Sequence, residues 1–116
     1  MKNQKPILFL DFDRTLFDTD LFYDWLGEKH FERLLQVATG EIAPPDFSVM
    51  LYADTIGFLE RMRPRFRLVI LTFDTNAGLQ RKKLQGAGVV SLVDDIIIFE
   101  HMFSYIKVAS FHLFLY

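Results

Sequence analysis

Residues 7–20 read ILFLDFDRTLFDTD: four strongly apolar residues, then Asp11 and Asp13 almost side by side. Ile7–Leu10 is continuously apolar rather than alternating, the pattern of a strand covered on both faces of a parallel sheet. Two like charges at the end of such a run repel each other unless a cation or hydrogen-bond donors meet them. Aspartate is also common in plain turns, where it bonds its own backbone, so the rest of the chain has to decide between a turn and a site.

Downstream, Phe22, Trp25, Leu26, Phe31, Leu34, Leu35 and Ala38 recur at helical spacing, and Gly27 interrupts them, which predicts one kinked helix or two short ones over 20–38. TGEIAPPDF, residues 39–47, reads as a loop. Tyr52–Met62 then predicts a helix stopped by Pro64. RLVILT, residues 67–72, repeats the first pattern, an apolar run ending in the small polar Thr72. Thr75 or Asn76 can cap a helix running through Leu84, with Gly86 and Gly88 as its stop. DIIIF, residues 95–99, is the third apolar strand. Strands alternating with helices give an α/β fold with a parallel sheet and right-handed crossovers. Ligands of such sheets bind beyond the carboxyl ends of the strands, the edge where Asp11 and Thr72 fall together.

With 116 residues, 51% of them hydrophobic and 13 of them Phe, the chain has material for a single core and one domain over 1–116. A net charge of -2 gives no electrostatic footprint for nucleic acid. Arg81, Lys82 and Lys83 are the one basic cluster and read as a solvated helix face. Without cysteine, disulfides and thiolate metal sites are excluded. The first apolar run is too short for a signal-peptide core, and Glu100, His101, Lys107 and His112 interrupt the apolar C-terminal part before it reaches bilayer length. A soluble cytoplasmic protein is the expectation; the sequence sets no oligomeric state.

Aspartates two apart, just past a strand, can aim both carboxylates into one small space, where magnesium takes one or two carboxylates together with waters and phosphate oxygens. That donor set suits phosphoryl transfer, in which positioning and charge neutralisation supply most of the catalysis. One carboxylate can serve as nucleophile through an aspartyl-phosphate, and the other as general acid and then general base. The Thr72 hydroxyl and a nearby backbone N–H suit a phosphate oxygen, and a helix starting near Thr75 adds the positive end of its dipole.

On these residues the chain resembles the haloacid dehalogenase-like (HAD) superfamily. ILFLDFDRTLFD is similar to that family's first motif, Asp-x-Asp-x-Thr at Asp11, Asp13 and Thr15, and LVILT to its second, ending at Thr72. The resemblance covers residues 5 to about 100. It implies a Rossmann-like three-layer parallel sheet with the first strand central and a small helical cap inserted over 18–50. It also implies that Asp11 is the nucleophile and Asp13 the acid/base. Mg2+ would be held by the Asp11 side chain and the Asp13 backbone carbonyl, and the phosphoryl group by Thr72. The family's third motif is a lysine after the third strand, where Lys107 falls. Its fourth is an acidic cluster after a further strand, whereas no Asp or Glu follows Glu100. Residues 101–116 form an atypical tail, and the sheet is expected to be incomplete, with an uncovered edge at its first strand, in a truncated or frameshifted chain.

The expected function is a magnesium-dependent phosphatase acting on a small phosphorylated metabolite. The alternative is an inactive HAD-like fragment that binds phosphate or a partner without turnover. A phospho-acceptor signalling domain is disfavoured, because it has no use for Asp13. Asp18, Asp20 and Asp74 read as caps or turn residues, and Asp94 and Asp95 lie at the wrong end of the sheet for chemistry. Phe22, Trp25 and Phe31 read as core rather than as substrate contacts. His30, His101 and His112 show no metal-binding spacing.

Overall fold

The computed structural model describes residues 4–74 and 78–100. β1 (Ile7–Leu10), β2 (Arg67–Phe73) and β3 (Asp95–Phe99) form a parallel sheet in the order β1-β2-β3, with Leu10 opposite Ile70 and Thr72 opposite Ile98. Among the described residues β1 is therefore an edge and β2 is central. β2 accordingly carries the continuous apolar run: Leu68 through Thr72 are all buried. In β1 only Leu10 is fully buried; Ile7, expected inside, is exposed at the start of this edge strand.

Between β1 and β2 lie α1 (Thr19–Leu26), α2 (His30–Thr39), a 3-10 turn at Phe47–Met50 and α3 (Thr55–Met62). Two helices are formed rather than one, because Gly27 takes φ 81° and closes α1. Asp18 caps α1, accepting from the Leu21 N–H at 3.1 Å, as its sequence position implies. Arg33 of α2 donates to the Trp25 and Leu26 carbonyls at the end of α1 and lies 4.9 Å from the Trp25 ring centre, which fixes the hairpin. The excursion leaves and returns at one place. The Asp18 N–H donates to the Met50 carbonyl at 2.7 Å, and the Leu16 carbonyl accepts from the Tyr52 N–H and from the Thr55 hydroxyl at 2.6 Å.

These helices share one core with the sheet: Phe22, Leu26, Leu34, Val37, Phe47 and Met50 are buried in the same cluster as Leu10, Leu68 and Ile70. Phe22 is core as expected, and Trp25 packs partly buried against it. Phe31 is not core; it is 79% exposed on the first turn of α2, beyond the reach of the buried residues Leu34, Val37 and Ala38.

α4 (Leu79–Ala87) connects β2 to β3. It starts at Leu79 with Gly78 as its N-cap, later than predicted, and Thr75 and Asn76 lie outside the described residues, as do Lys107, His101, His112 and the whole tail. Its stop is Gly88 in the left-handed region; Gly86 is inside the helix. Gly86 has a packing reason instead, since a Cβ there would lie 2.7 Å from Phe47 Cδ2. No described helix is long and apolar enough to cross a membrane.

Phe47 is buried, and a Cβ on Gly86 would meet its Cβ at 3.3 Å as well as its ring. Gly86→Ala is expected to lower stability by about 1–2 kcal/mol, the overpacking cost exceeding the gain in helix propensity. Urea unfolding of the two proteins measures it.

Candidate active site

The loop after β1 is organised by one buried residue between two acids. Phe12 is fully buried, while Asp11 and Asp13 on either side stay half-exposed. The Phe12 carbonyl gathers the N–H groups of Thr15, Leu16 and Phe17, which winds the chain into a tight turn. Arg14, in that turn, adopts φ 61°, and its N–H donates to the Phe17 carbonyl and to Thr19 Oγ1. Its guanidinium pairs with Asp20 at 3.0 Å on the surface.

Asp11 accepts from the Phe12 N–H at 2.9 Å through Oδ1, and from the Thr15 hydroxyl at 3.4 Å through Oδ2. Thr15, the third member of the motif, thus holds the first. Asp13 has a different set of partners. The Thr19 hydroxyl donates to Oδ1 at 3.0 Å, Lys83 Nζ to the same oxygen at 2.6 Å, and Gln80 Nε2 to Oδ2 at 2.8 Å. The same Gln80 nitrogen donates to Thr72 Oγ1 at 2.7 Å, so a single side chain from α4 bridges the end of β2 to the loop after β1.

Lys83 overturns the expectation that Arg81, Lys82 and Lys83 form a solvated face. Its side chain is 6% exposed against 34% for its partner Asp13. The ammonium sits 4.8 Å from the centre of the Phe17 ring, with the Phe22 and Phe12 rings at 5.5 and 5.8 Å. Ring faces on one side and a carboxylate on the other replace the water that burial removes. Lys82 is also engaged, donating to the Val37 carbonyl near the end of α2. Of the three, Arg81 is the exposed one.

Gln80 had no place in the sequence reading and Lys83 was read only as part of a solvated face, although a signal for both exists. They share a helix face with Leu79, Leu84 and Ala87, the buried residues of α4. Asp74 behaves as a cap, accepting from the Gln80 N–H at 3.3 Å. Asp94 and Asp95 are at the opposite end of the sheet, where Asp94 accepts from the Leu68 N–H and Asp95 pairs with Arg67.

A cavity of about 150 Å3 opens beside Asp13, walled by Tyr23 and Leu34 from the helical hairpin and by Asp74, Gln80 and Lys83. For magnesium, the hard oxygens at this place are the Asp11 carboxylate, which accepts from the Phe12 N–H and the Thr15 hydroxyl, and the Asp13 backbone carbonyl. The Asp13 carboxylate is already met by three donors. Among the described residues no three acidic or histidine side chains converge.

No family model matches the chain, and no curated protein matches it. Solved structures do. The chain is similar to a haloacid dehalogenase-like hydrolase from Burkholderia xenovorans LB400, with a TM-score of 0.61 over 95% of its own length and 68% of that chain, at 15% identity. A hydrolase of the same family from Xanthomonas campestris gives 0.59 over 95% and 69%, at 14% identity. A magnesium-bound HAD hydrolase from Bacillus subtilis gives 0.54 over 96% and 74%, at 15% identity. At these identities the likeness is one of fold, and the fold is HAD-like.

Two substitutions probe the local physics. Arg14→Gly is expected to raise stability by up to about 1 kcal/mol, because glycine takes a left-handed φ without strain and the exposed pair with Asp20 contributes little. Lys83→Met keeps the apolar stem but leaves Asp13 without its cation, and is expected to cost about 1–3 kcal/mol. Both are read from chemical denaturation.

Proposed function

We propose that this chain is a magnesium-dependent phosphohydrolase of the HAD superfamily that acts on a small phosphorylated metabolite, with residues 18–50 as its cap. The observation that carries this reading is the bridge from Thr72 through Gln80 to Asp13, which ties the second motif to the first at the carboxyl ends of β1 and β2. The fold shared with HAD hydrolases supports it. The small cavity beside Asp13, bounded by the helical hairpin, supports a compact leaving group. A net charge of -2 argues against a nucleic-acid substrate.

In this mechanism the Asp11 carboxylate attacks phosphorus in line, and the bond from phosphorus to the leaving oxygen breaks as that oxygen takes a proton from Asp13, which has to enter this step protonated rather than as the ion-paired carboxylate of the resting site. Asp13 then takes a proton from water, whose oxygen attacks the aspartyl-phosphate; Asp11 is regenerated and inorganic phosphate leaves. The Thr72 hydroxyl donates to a non-bridging phosphoryl oxygen, and Lys107, outside the described residues, is the candidate for a second phosphoryl contact. Magnesium, held by the Asp11 carboxylate and the Asp13 carbonyl, would supply charge neutralisation.

The test is hydrolysis of 4-nitrophenyl phosphate with and without magnesium. A magnesium-dependent rate is expected, with Asp11→Asn lowering it by at least about a thousandfold, as removal of a covalent nucleophile does. Equal inactivity of the wild type and Asp11→Asn under all conditions would refute the enzyme and leave the alternative, a phosphate-binding module without turnover.

A further inference from the structure

We propose that Gln80 is a positioning residue that sets the direction in which the Thr72 hydroxyl points; this rests on Thr72 being the phosphoryl-binding residue of the proposed function. Gln80 is 4% exposed, and its amide nitrogen donates to Asp13 Oδ2 at 2.8 Å and to Thr72 Oγ1 at 2.7 Å. An amide nitrogen carries two protons and accepts nothing, so both bonds run outward from Gln80. A threonine hydroxyl that accepts one bond keeps its own proton to give. With the Gln80 nitrogen on its accepting side, Thr72 has to aim that proton elsewhere, where an anionic oxygen can take it as a charge-assisted hydrogen bond.

The amide faces this way for an electrostatic reason. Its nitrogen rather than its oxygen meets the Asp13 carboxylate, which in its ionised form only accepts. Asp13 is itself fixed through its other oxygen by Lys83 and Thr19. Lys83, Asp13, Gln80 and Thr72 therefore form a chain of hydrogen bonds that converge on the Asp13 carboxylate and run outward from the Gln80 nitrogen, so that the ion-paired carboxylate holds the amide with its nitrogen toward Thr72. No proton moves along it. Its effect is to present Thr72 as a donor before any phosphate arrives, which removes the cost of reorienting it on binding.

The experiment is calorimetric titration of inorganic phosphate, with magnesium present, into wild type, Gln80→Met, Thr72→Val and the double variant. Gln85→Met, an exposed change on the same helix, is the control. Each of the two site variants is expected to weaken phosphate about tenfold, the worth of one charge-assisted hydrogen bond. The double variant is expected to bind no more weakly than Thr72→Val alone, because Gln80 acts through Thr72. A merely structural role would make the two losses multiply. Melting curves identify a variant that has not folded. Should Gln80→Met be one, Gln80→Glu, whose ionised carboxylate can only accept, is expected to weaken phosphate at least as much.

Wild-type affinity in the Gln80 variants, multiplying losses in the double variant, or no phosphate binding by the wild type would each overturn the proposal. Because the readout is binding, a chain that shows this pattern without hydrolysing anything refutes the hydrolase and leaves the role of Gln80 standing. A chain that hydrolyses normally while Gln80→Met binds like wild type does the reverse.

Discussion

The buried ammonium of Lys83 is the constraint on which the described structure turns. Removing such a charge from water is expensive, and the cost is recovered only where partners are held in place. Here the partners are the Asp13 carboxylate at 2.6 Å and the rings of Phe12, Phe17 and Phe22. The same three rings belong to the buried core beside Phe47, with Phe12 stacked on Phe17 at 5.0 Å. Core and candidate site thus share one group, and a change in packing on the apolar side reaches the acidic side directly.

That sharing explains the arrangement of the Asp-x-Asp loop. Phe12 has to face inward to meet the cation, which leaves the carboxylates on either side facing the opening. It also sets the rotation of α4 about its axis, because Lys83 and Gln80 reach Asp13 only if Leu79, Leu84 and Ala87 turn into the core. The contact of Gly86 with Phe47 then holds the segment returning from the helical hairpin against that same helix. The bonds of Leu16 and Asp18 to residues 50, 52 and 55 close the base of the excursion.

The sheet was legible because its signal is local: three apolar runs bounded by turns fix strands whatever packs on them. Asp18 as a cap and the segregation of Asp94 and Asp95 from the chemistry were legible for the same reason. The pairing of Asp13 was not. Three consecutive cations look alike in a sequence, and only the phase of α4 against a loop far earlier in the chain decides that Lys83 turns in while Arg81 turns out. Phe31 failed in the opposite way. Its spacing is that of a core residue, yet burial needs something opposite it, and the first turn of α2 projects past the core. Gly86, read as a stop, shows that a glycine can be required by a neighbour's ring rather than by its own backbone.

Gln80 and Lys83 meet Asp13 across 67 and 70 residues of chain. A protein is synthesised from its N-terminus, so the acidic loop is made first and waits for partners encoded much later. Until α4 exists, Asp11 and Asp13 are solvated carboxylates beside a half-built apolar cluster, and the rings of Phe12, Phe17 and Phe22 have no cation to cover. Contacts this distant also carry a large loop-closure entropy, which delays their formation in refolding. The hydrogen bonds of Gln80 and Lys83 to Asp13 therefore cannot form until α4 has been made, and an interrupted chain that stops before α4 carries the two aspartates without these partners.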